Sequence, residues 1–556
     1  MDNENNIAQN ADAVHQKMQY NYTQQQEMGQ YAAPQPGAYP YYAPPVMAVK
    51  TRNPFKPVLS DFIFALIVFA LGYLFSRWVF LSWRGWGVAV FTAVYLISIT
   101  AYMVRKSAFA NNAAAWFWFA ITIVTGVSYA FWDNPGFNGL RSLFLFCAAV
   151  YYVIVASGSN LMGKSGNFLI IDGVNAVILV PFRNFFNQYI SFSALRRDEK
   201  RGKGLPVFIG LLLAVFLLAC LIPMLMRADS GGFKVVLRFI ADIFTFDILE
   251  FMIYVLIAIP VAAYLYGLVS GAAHKRGTDT IKPEGAATAV SALRFFQPAT
   301  IYIALAAVCG LYFVFILCQI PYFFSAFTGR TPEGWLNYSE YARQGFFELC
   351  GIAAINLVIL TVGNVTCKKR RAESRLLKAF NIVFAVITLL LIATAFSKMA
   401  LYIDVGGLTM PRLMPCVFMV FLTIVFVALI VLQKREFSIV RFSLVVGAVI
   451  LCVFSMADPD ALVIQYNADR HLRGSLPYFD MDVLRRAGEA GVLPAIEVFE
   501  NTENKELKAE LARYLYDYSQ WVDSLRTSSS DLRGEAHTSS FESYRAREEI
   551  RGYGIR

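Results

Sequence analysis

The sequence predicts an all-α polytopic membrane protein with about eleven transmembrane helices and a small helical module after the last of them. The first observation is composition: the 556-residue chain is 57% hydrophobic and only 16% charged, whereas soluble proteins carry roughly 25% charged residues. The second is a mean hydropathy of +0.50. The third is the aromatic content of 15%, which is typical of chains whose Trp and Tyr residues line both membrane–water interfaces.

The first element is a polar tail at residues 1–55. It is rich in Gln, Asn, Pro and Tyr and contains the run YAAPQPGAYPYYAPP. Because it has too little apolar surface to offset the entropy lost on ordering, we predict a disordered cytoplasmic tail. It has no basic start followed by a short apolar core, which a cleavable signal peptide would show.

The multi-span region is predicted at residues 56–456. A helix needs roughly 20 apolar residues to cross the hydrocarbon core, and eleven stretches meet this requirement. They are Val58–Phe80, Gly85–Val104, Ala113–Trp132, Leu140–Ser157, Leu205–Met226, Leu249–Ser270, Thr300–Tyr322, Phe346–Gly363, Leu376–Tyr402, Pro411–Leu432 and Ile439–Met456.

Lysine and arginine are distributed unevenly between the loops. They are concentrated before the first span and after every even-numbered span, as in RRDEKRGK at 196–203 and KKRR at 368–371. Cytoplasmic loops carry such an excess of basic residues. We therefore predict a cytoplasmic N-terminus and, because the number of spans is odd, an extracytoplasmic C-terminus.

The long loop from Ser159 to Gly204 contains an apolar stretch, Phe168–Val180, of only about 13 residues, which is too short to span. We predict a re-entrant or interfacial segment followed by an amphipathic helix with basic residues at its end. The alternative is a loop on the membrane surface whose charges face lipid headgroups.

A small extracytoplasmic helical module is predicted at residues 457–526. Asp458 and Pro459 supply an N-cap acid and a first-turn proline. Four apolar residues later in the module recur at helical spacing: Leu507, Leu511, Leu515 and Tyr518. Residues 527–556, rich in Ser, Arg and Glu, are predicted to be a disordered tail. From Ala457 onward the chain holds 18 Asp/Glu against 13 Lys/Arg.

The sequence lacks any pattern of a catalytic, cofactor or metal site with a supporting context, so we predict none of the three. The four histidines lie far apart, and the eight cysteines form no CxxC pair. GSNLMGKS at 158–165 fits the letters of a phosphate-binding loop, but that loop requires a strand–loop–helix unit and here it follows a span. Because the net charge of +10 reflects the cytoplasmic loops, we predict no nucleic-acid partner.

Two amides lie inside predicted spans. Asn356 belongs to the eighth span and Asn381 to the ninth. Intramembrane amides most often join helices through hydrogen bonds, and contact with a substrate is the alternative.

Three segments resemble the signatures of a bacterial membrane-protein family. They are YSEYARQGFFELCGIAAINLVIL (338–360), SKMALYIDVGGLTMPRL (397–413) and IQYNADRHL (464–472). They resemble domain-of-unknown-function family 4173, which is related to family 4153, over residues 150–500 or so. The resemblance implies a polytopic envelope protein and supplies no mechanism. Lys398 stands where it leads us to expect an arginine, and lysine does not make the bidentate contacts of arginine.

On the predicted topology these segments share the extracytoplasmic face. We therefore predict a rim there, formed by Tyr338, Tyr341, Arg343, Glu348, Lys398, Tyr402, Asp404, Arg412, Asn467 and Arg470. The rim either seats the module on the spans through charge pairs, or binds a ligand such as a lipid headgroup, a cell-wall precursor or an envelope protein. We predict that Arg343 pairs with Asp404, because both lie just beyond span ends on that face.

These observations favour a non-enzymatic envelope scaffold or sensor-like partner in a bacterial cell membrane. A small-molecule or lipid transporter or flippase is the first alternative, since Pro223 and Pro260 interrupt spans as in the broken helices of transporters. A membrane-embedded transferase is the second, with an acid such as Asp404 as general base. The predicted partners are the lipid bilayer and, at the rim, envelope proteins or lipid headgroups.

Overall fold

The computed structural model describes residues 55–80, 83–160, 169–192, 210, 224, 246–278, 283–320, 338–527 and 538–553. Its helices in chain order are α1 (Leu59–Trp78), α2 (Gly85–Arg105), α3 (Ala113–Phe131), α4 (Asn138–Ala156), α5 (Leu169–Val174), α6 (Val180–Arg183), α7 (Asn187–Phe192), α8 (Phe246–Ala273), α9 (Pro283–Ala292), α10 (Pro298–Gln319), α11 (Tyr338–Thr366), α12 (Arg375–Gly406), α13 (Met410–Leu432), α14 (Ile439–Met456), α15 (Pro459–Leu472), α16 (Met481–Arg486), α17 (Val492–Asn501), α18 (Lys505–Thr527) and α19 (Phe541–Tyr553). A π-helical turn joins α5 to α6, and one isolated β-bridge links Phe296 to Cys367. The predicted all-α class is confirmed.

Ten of the described helices are long and apolar enough to cross a membrane. They are α1 to α4, α8 and α10 to α14, and they coincide with ten of the eleven predicted spans. The remaining one, Leu205–Met226, lies outside the described residues apart from the single positions 210 and 224, and the predicted disordered tail up to Pro54 lies outside them as well. Multi-pass membrane architecture is therefore established for the described part of the chain.

An amino-side bundle consists of α1 to α4 and α8. The ring of Phe64 on α1 stacks on that of Tyr102 on α2, with their centroids 3.8 Å apart. On α3, Gly126 lies so close to α2 that a Cβ at this position would come within 2.6 Å of Thr92. Small residues of this kind let membrane helices approach closely, since dispersion rather than the hydrophobic effect holds them together in lipid.

The short helices α5 to α7 pack against α8. Two glycines one turn apart on α8 create the necessary space: a Cβ at Gly267 would lie 2.5 Å from the Pro181 carbonyl oxygen, and one at Gly271 would lie 2.4 Å from the Asn184 amide nitrogen. Asn184 also donates to the carbonyl of Arg276 at 2.8 Å. The segment predicted as re-entrant or interfacial is thus a broken helical stretch held on α8.

A carboxy-side bundle is formed by α10 to α13. The N-cap of α12 is Ser374, whose hydroxyl accepts from the backbone N–H of Leu377 at 3.1 Å. The helix α14 packs against both α13 and α3, so it links the two bundles.

The C-terminal module comprises α15 to α19. Its core buries the three leucines that were expected to share a face, Leu507, Leu511 and Leu515. The predicted disorder of residues 527–556 is wrong for Phe541–Tyr553, which form α19. Ala546 and Ile550, four residues apart, are 1% and 2% exposed because they pack into the same core.

Candidate functional site at the junction between spans and module

The module packs on one end of the bundles, at a surface that we call the junction. Among the hydrogen bonds that connect it there are Trp86 N–H to Ser539 O (3.1 Å), Gly136 N–H to Asp460 Oδ2 (3.0 Å) and Asn467 Nδ2 to Leu408 O (2.8 Å). The residues on the span side of these bonds all lie after an odd-numbered predicted span and no later than the first turn of the span that follows it. The observed helix directions therefore agree with the predicted alternation, and the assignment of this end to the extracytoplasmic face stays a prediction.

The helices α4 and α8 run in the same direction. The hydroxyl of Ser159, just after α4, donates to the carbonyl of Ala272 at the end of α8 at 3.3 Å. The two described spans are therefore parallel to each other.

Asn467 ties the third signature to the second. Its side-chain oxygen accepts from Leu408 N–H at 2.7 Å, and its amide nitrogen donates to Leu408 O. The preceding residue, Gly407, has φ = +70°, and a Cβ there would lie 2.8 Å from the Asn467 oxygen. Glycine at 407 is thus required both by the backbone conformation and by the approach of Asn467.

Arg470, one turn further along α15, reaches the C-terminal end of α12. Its guanidinium donates to Asp404 Oδ1 at 2.9 Å, to Ile403 O at 3.3 Å and to Ser475 O at 2.9 Å. A cation beside the last carbonyl groups of a helix is favoured by the helix dipole. The predicted pairing of Asp404 with Arg343 is wrong: Asp404 pairs with Arg470. Arg343 is exposed on α11, whereas α15 brings Arg470 directly over the end of α12.

Arg412 closes the same helix end from the other side. Its guanidinium donates to the carbonyls of Gly406 and Gly407 and lies 3.9 Å from the centre of the Tyr402 ring. The last carbonyls of a helix have no partner within the helix, so Arg412 supplies one. Gly406 makes this approach possible, since a Cβ there would be 2.9 Å from Arg412 Nη2.

The first signature meets the second at Lys398, whose exposed fraction is 4%. A Cβ on Gly345 of α11 would lie 2.6 Å from Lys398 Nζ, so this glycine provides the space that the ammonium group occupies. Glu348 is exposed and accepts from Gln344 at 2.9 Å. Tyr338 and Tyr341 lie at the start of α11, and their side chains fall outside the described part of the chain.

The two predicted intramembrane amides bond to neighbouring helices. Asn356 accepts from the Tyr312 hydroxyl at 2.6 Å and donates to Thr388 Oγ1 at 3.0 Å. Asn381 exchanges two hydrogen bonds of 3.0 Å with Asn364. This geometry favours the interpretation that both amides join helices.

Arg141, to which the sequence assigned no role, is the largest fully buried side chain of the described residues. Its guanidinium lies 3.7 Å from the centre of the Tyr129 ring and donates to Trp132 O and Asn138 Oδ1, both at 3.2 Å. An arginine at the start of an apolar span could have been singled out, because intramembrane charges are rare and are usually partnered.

Four carboxyl groups lie together at the junction: Asp133, Asp458 and Asp460 interact with Arg141, and Glu542 interacts with Asp133 and Asp458. Burial raises the pKa of Asp460 to about 7. Burial and the neighbouring Asp458 carboxylate together raise the pKa of Glu542 well above its usual range, and its Oε2 accepts from Asp133 N–H at 3.0 Å. We call these four residues the acid cluster; they lie where the module meets the spans.

A second charged group lies at the opposite end of the amino-side bundle. The carboxylate of Asp61 on α1 is 2.7 Å from Lys106 Nζ, accepts from the Tyr102 hydroxyl at 2.8 Å and lies 3.5 Å from His274 Nε2. Burial lowers the pKa of His274, so Lys106 is the principal counter-charge at neutral pH. In the sequence, Asp61 is an acid within the first turn of an apolar span, and no role was predicted for it.

These features define a multi-pass α-helical membrane protein with a C-terminal helical module seated on one end of its bundles. Residues 119–498 match the sequence model of a family described as Domain of unknown function (DUF4153), and the chain belongs to that family. The match runs from α3 into α17, so it includes all three signature segments. Neither the curated proteins nor the solved structures contain a match to this chain.

We expect Gly407→Ala to destabilise the protein more than Gly474→Ala. Both glycines have φ near +70°, so an alanine at either position adds backbone strain of about 1–3 kcal/mol. Only the Cβ at 407 meets a neighbour, whereas the position at 474 is open. Thermal unfolding in detergent compares the two variants, and equal losses would show that Asn467 does not depend on Gly407.

Proposed function

We propose that this protein is a non-enzymatic membrane scaffold or sensor-like partner that holds its C-terminal module in a defined position on the extracytoplasmic face of a bacterial cell membrane. The observation that carries the proposal is the junction itself. The module bonds to the connection after α3, the connection after α12 and the start of α2. The signature segments also suggest a place close to family 4173 within the wider family.

The chemistry of the rim supports a structural use of its side chains. Arg470 and Arg412 donate to the last carbonyl groups of α12, and Asn467 forms two hydrogen bonds with Leu408 in the connection that follows. Side chains committed in this way seat a module and leave little capacity for recognising a free ligand. A transferase with Asp404 as general base receives less support, because that carboxylate forms an ion pair with Arg470.

A variant that undocks the module tests the proposal. We expect Asn467→Ala/Arg470→Ala to reach the membrane in normal amounts, to expose the module to added protease, and to fail to restore the phenotype caused by loss of the gene. The matched control is Arg473→Ala directly after the same helix, where the side chain is 79% exposed. If the undocked variant complements as well as the control, the protein does not act as a scaffold.

The side of the membrane is tested in the same cells. In a background without the exposed native cysteines, a cysteine at Ser524 in the module should react with a membrane-impermeant thiol reagent, and a cysteine at Ser107 after α2 should not. Reaction at Ser107 alone would place the module in the cytoplasm.

A further inference from the structure

The amino-side bundle contains a cavity of about 340 Å³ between α1, α2, α4, α8 and the stretch around α6. Its size falls within the range of small-molecule sites, roughly 300–1,000 Å³. Its walls are largely aromatic and aliphatic side chains, among them Phe75, Phe91, Phe146 and Phe182. The cavity is therefore large enough for a ligand and is shaped by hydrocarbon groups.

The polar groups in the wall are already engaged. The hydroxyls of Thr92, Tyr95 and Tyr264 line the cavity and donate to backbone carbonyl oxygens at 2.8, 3.1 and 3.1 Å. A buried water needs two to four polar partners, and cavities without them stay dry. The wall favours hydrocarbon contents over water or a polar solute.

The cavity lies among the helices of the amino-side bundle and opens at their outer surface. Phe146 and Phe182 in its wall are 38% and 59% exposed, so they line its mouth. Trp83, between α1 and α2, lines the other end, and tryptophan is enriched at the level of lipid headgroups. Arg84 follows directly; its Nε lies 3.9 Å from Asp133 Oδ1, and because its side chain is 52% exposed, its guanidinium can also be reached by an anionic group from outside.

From these observations we infer that the cavity binds one acyl chain of a membrane phospholipid. The chain enters sideways past Phe146 and Phe182, and the phosphate lies at the level of Trp83 and Arg84. In a bilayer the lipid hydrocarbon chains surround the outer helix surfaces, so an acyl chain is always available at the mouth of the cavity. The inference does not depend on the scaffold role, since the cavity is separate from the junction contacts of Asn467 and Arg470.

The test uses the full chain in phosphatidylcholine nanodiscs that contain a phospholipid with a photoactivatable diazirine in its acyl chain. After irradiation, cross-linked peptides are identified by mass spectrometry. We expect the peptides that carry Ala149 and Val261, both in the cavity wall, to be labelled more strongly than the exposed face of α10. Labelling no greater than that of α10 would overturn the inference.

Variants that fill the cavity supply the second part of the test. Ala149→Phe and Val261→Phe fill it from opposite walls, so each should lower labelling of the other wall at least fivefold. Val94→Phe on the exposed face of α2 is the matched control and should leave labelling unchanged. Size-exclusion profiles identify any variant that does not fold. If one wall variant fails to fold, the other still provides the test. Undiminished labelling in a folded wall variant would rule out an acyl chain in this cavity.

Discussion

Replacing Asp61 with leucine should destabilise the protein by about 3–5 kcal/mol, the usual loss when one partner of a buried ion pair is removed. The Asp61 side chain is 1% exposed and that of Lys106 15%, so the ammonium group would remain largely buried without its counter-charge. The Tyr102 hydroxyl would lose its acceptor as well. Thermal or chemical unfolding in detergent measures the loss.

The double variant Asp61→Leu/Lys106→Met separates the pair from the packing around it. Because replacing both charges of a buried pair by apolar groups is often neutral or stabilising, we expect it to recover most of the stability lost in Asp61→Leu. Asp404→Leu is the control, since that carboxylate is 72% exposed and an exposed pair contributes about 0–1 kcal/mol. A double variant as unstable as the single one would mean that Asp61 acts through its other contacts rather than through Lys106.

Docking of the C-terminal module should weaken as the pH rises from 6 to 8. Burial raises the pKa of Asp460 from 3.8 to about 7, so the docked state binds a proton that the undocked state releases. The contribution of protonated Asp460 to docking is complete below 3.8, the ordinary pKa of aspartate, and it is lost as the pH rises through about 7. The full difference corresponds to at most about 4 kcal/mol. The charged groups that act on Asp460 are Asp133, Asp458 and Arg141, with Glu542, Arg84, Arg547 and Glu489 in the network around them.

Hydrogen exchange of α15 at pH 6 and pH 8 measures this dependence. Asp460→Asn keeps an oxygen that accepts from Gly136 N–H but has no proton to lose, so it should remove most of the difference between the two pH values. The control is Asp469→Asn on the same helix, with a side chain 41% exposed. A local measurement is needed because the lowered pKa of His274 at the opposite end has the contrary effect: its contribution is lost as the pH falls. If hydrogen exchange of α15 depends on pH in Asp460→Asn as it does in the unmodified protein, Asp460 is not the source of the dependence.

The membrane architecture was predictable from the sequence to within a few residues. The stretch Ile439–Met456, for example, is both the predicted eleventh span and the helix α14. A span is recognisable because crossing hydrocarbon requires a run of apolar residues long enough for a helix to satisfy every backbone group. The buried face of α18 was predictable from its leucines for a similar reason, because residues at helical spacing lie on one side of the helix.

The partners of the charged groups were decided by the tertiary structure. Asp404 was expected to meet Arg343 because both follow span ends on one face, yet Arg470 occupies that position. The role of Asp61 with Lys106 and the burial of Arg141 likewise depend on helices distant in sequence. The helix α19 forms in a polar stretch because Ala546 and Ile550 find the core of the module. Burial in lipid is a property of a contiguous segment and can be read locally, whereas an ion pair or a docked helix depends on which surfaces packing brings within a few ångströms.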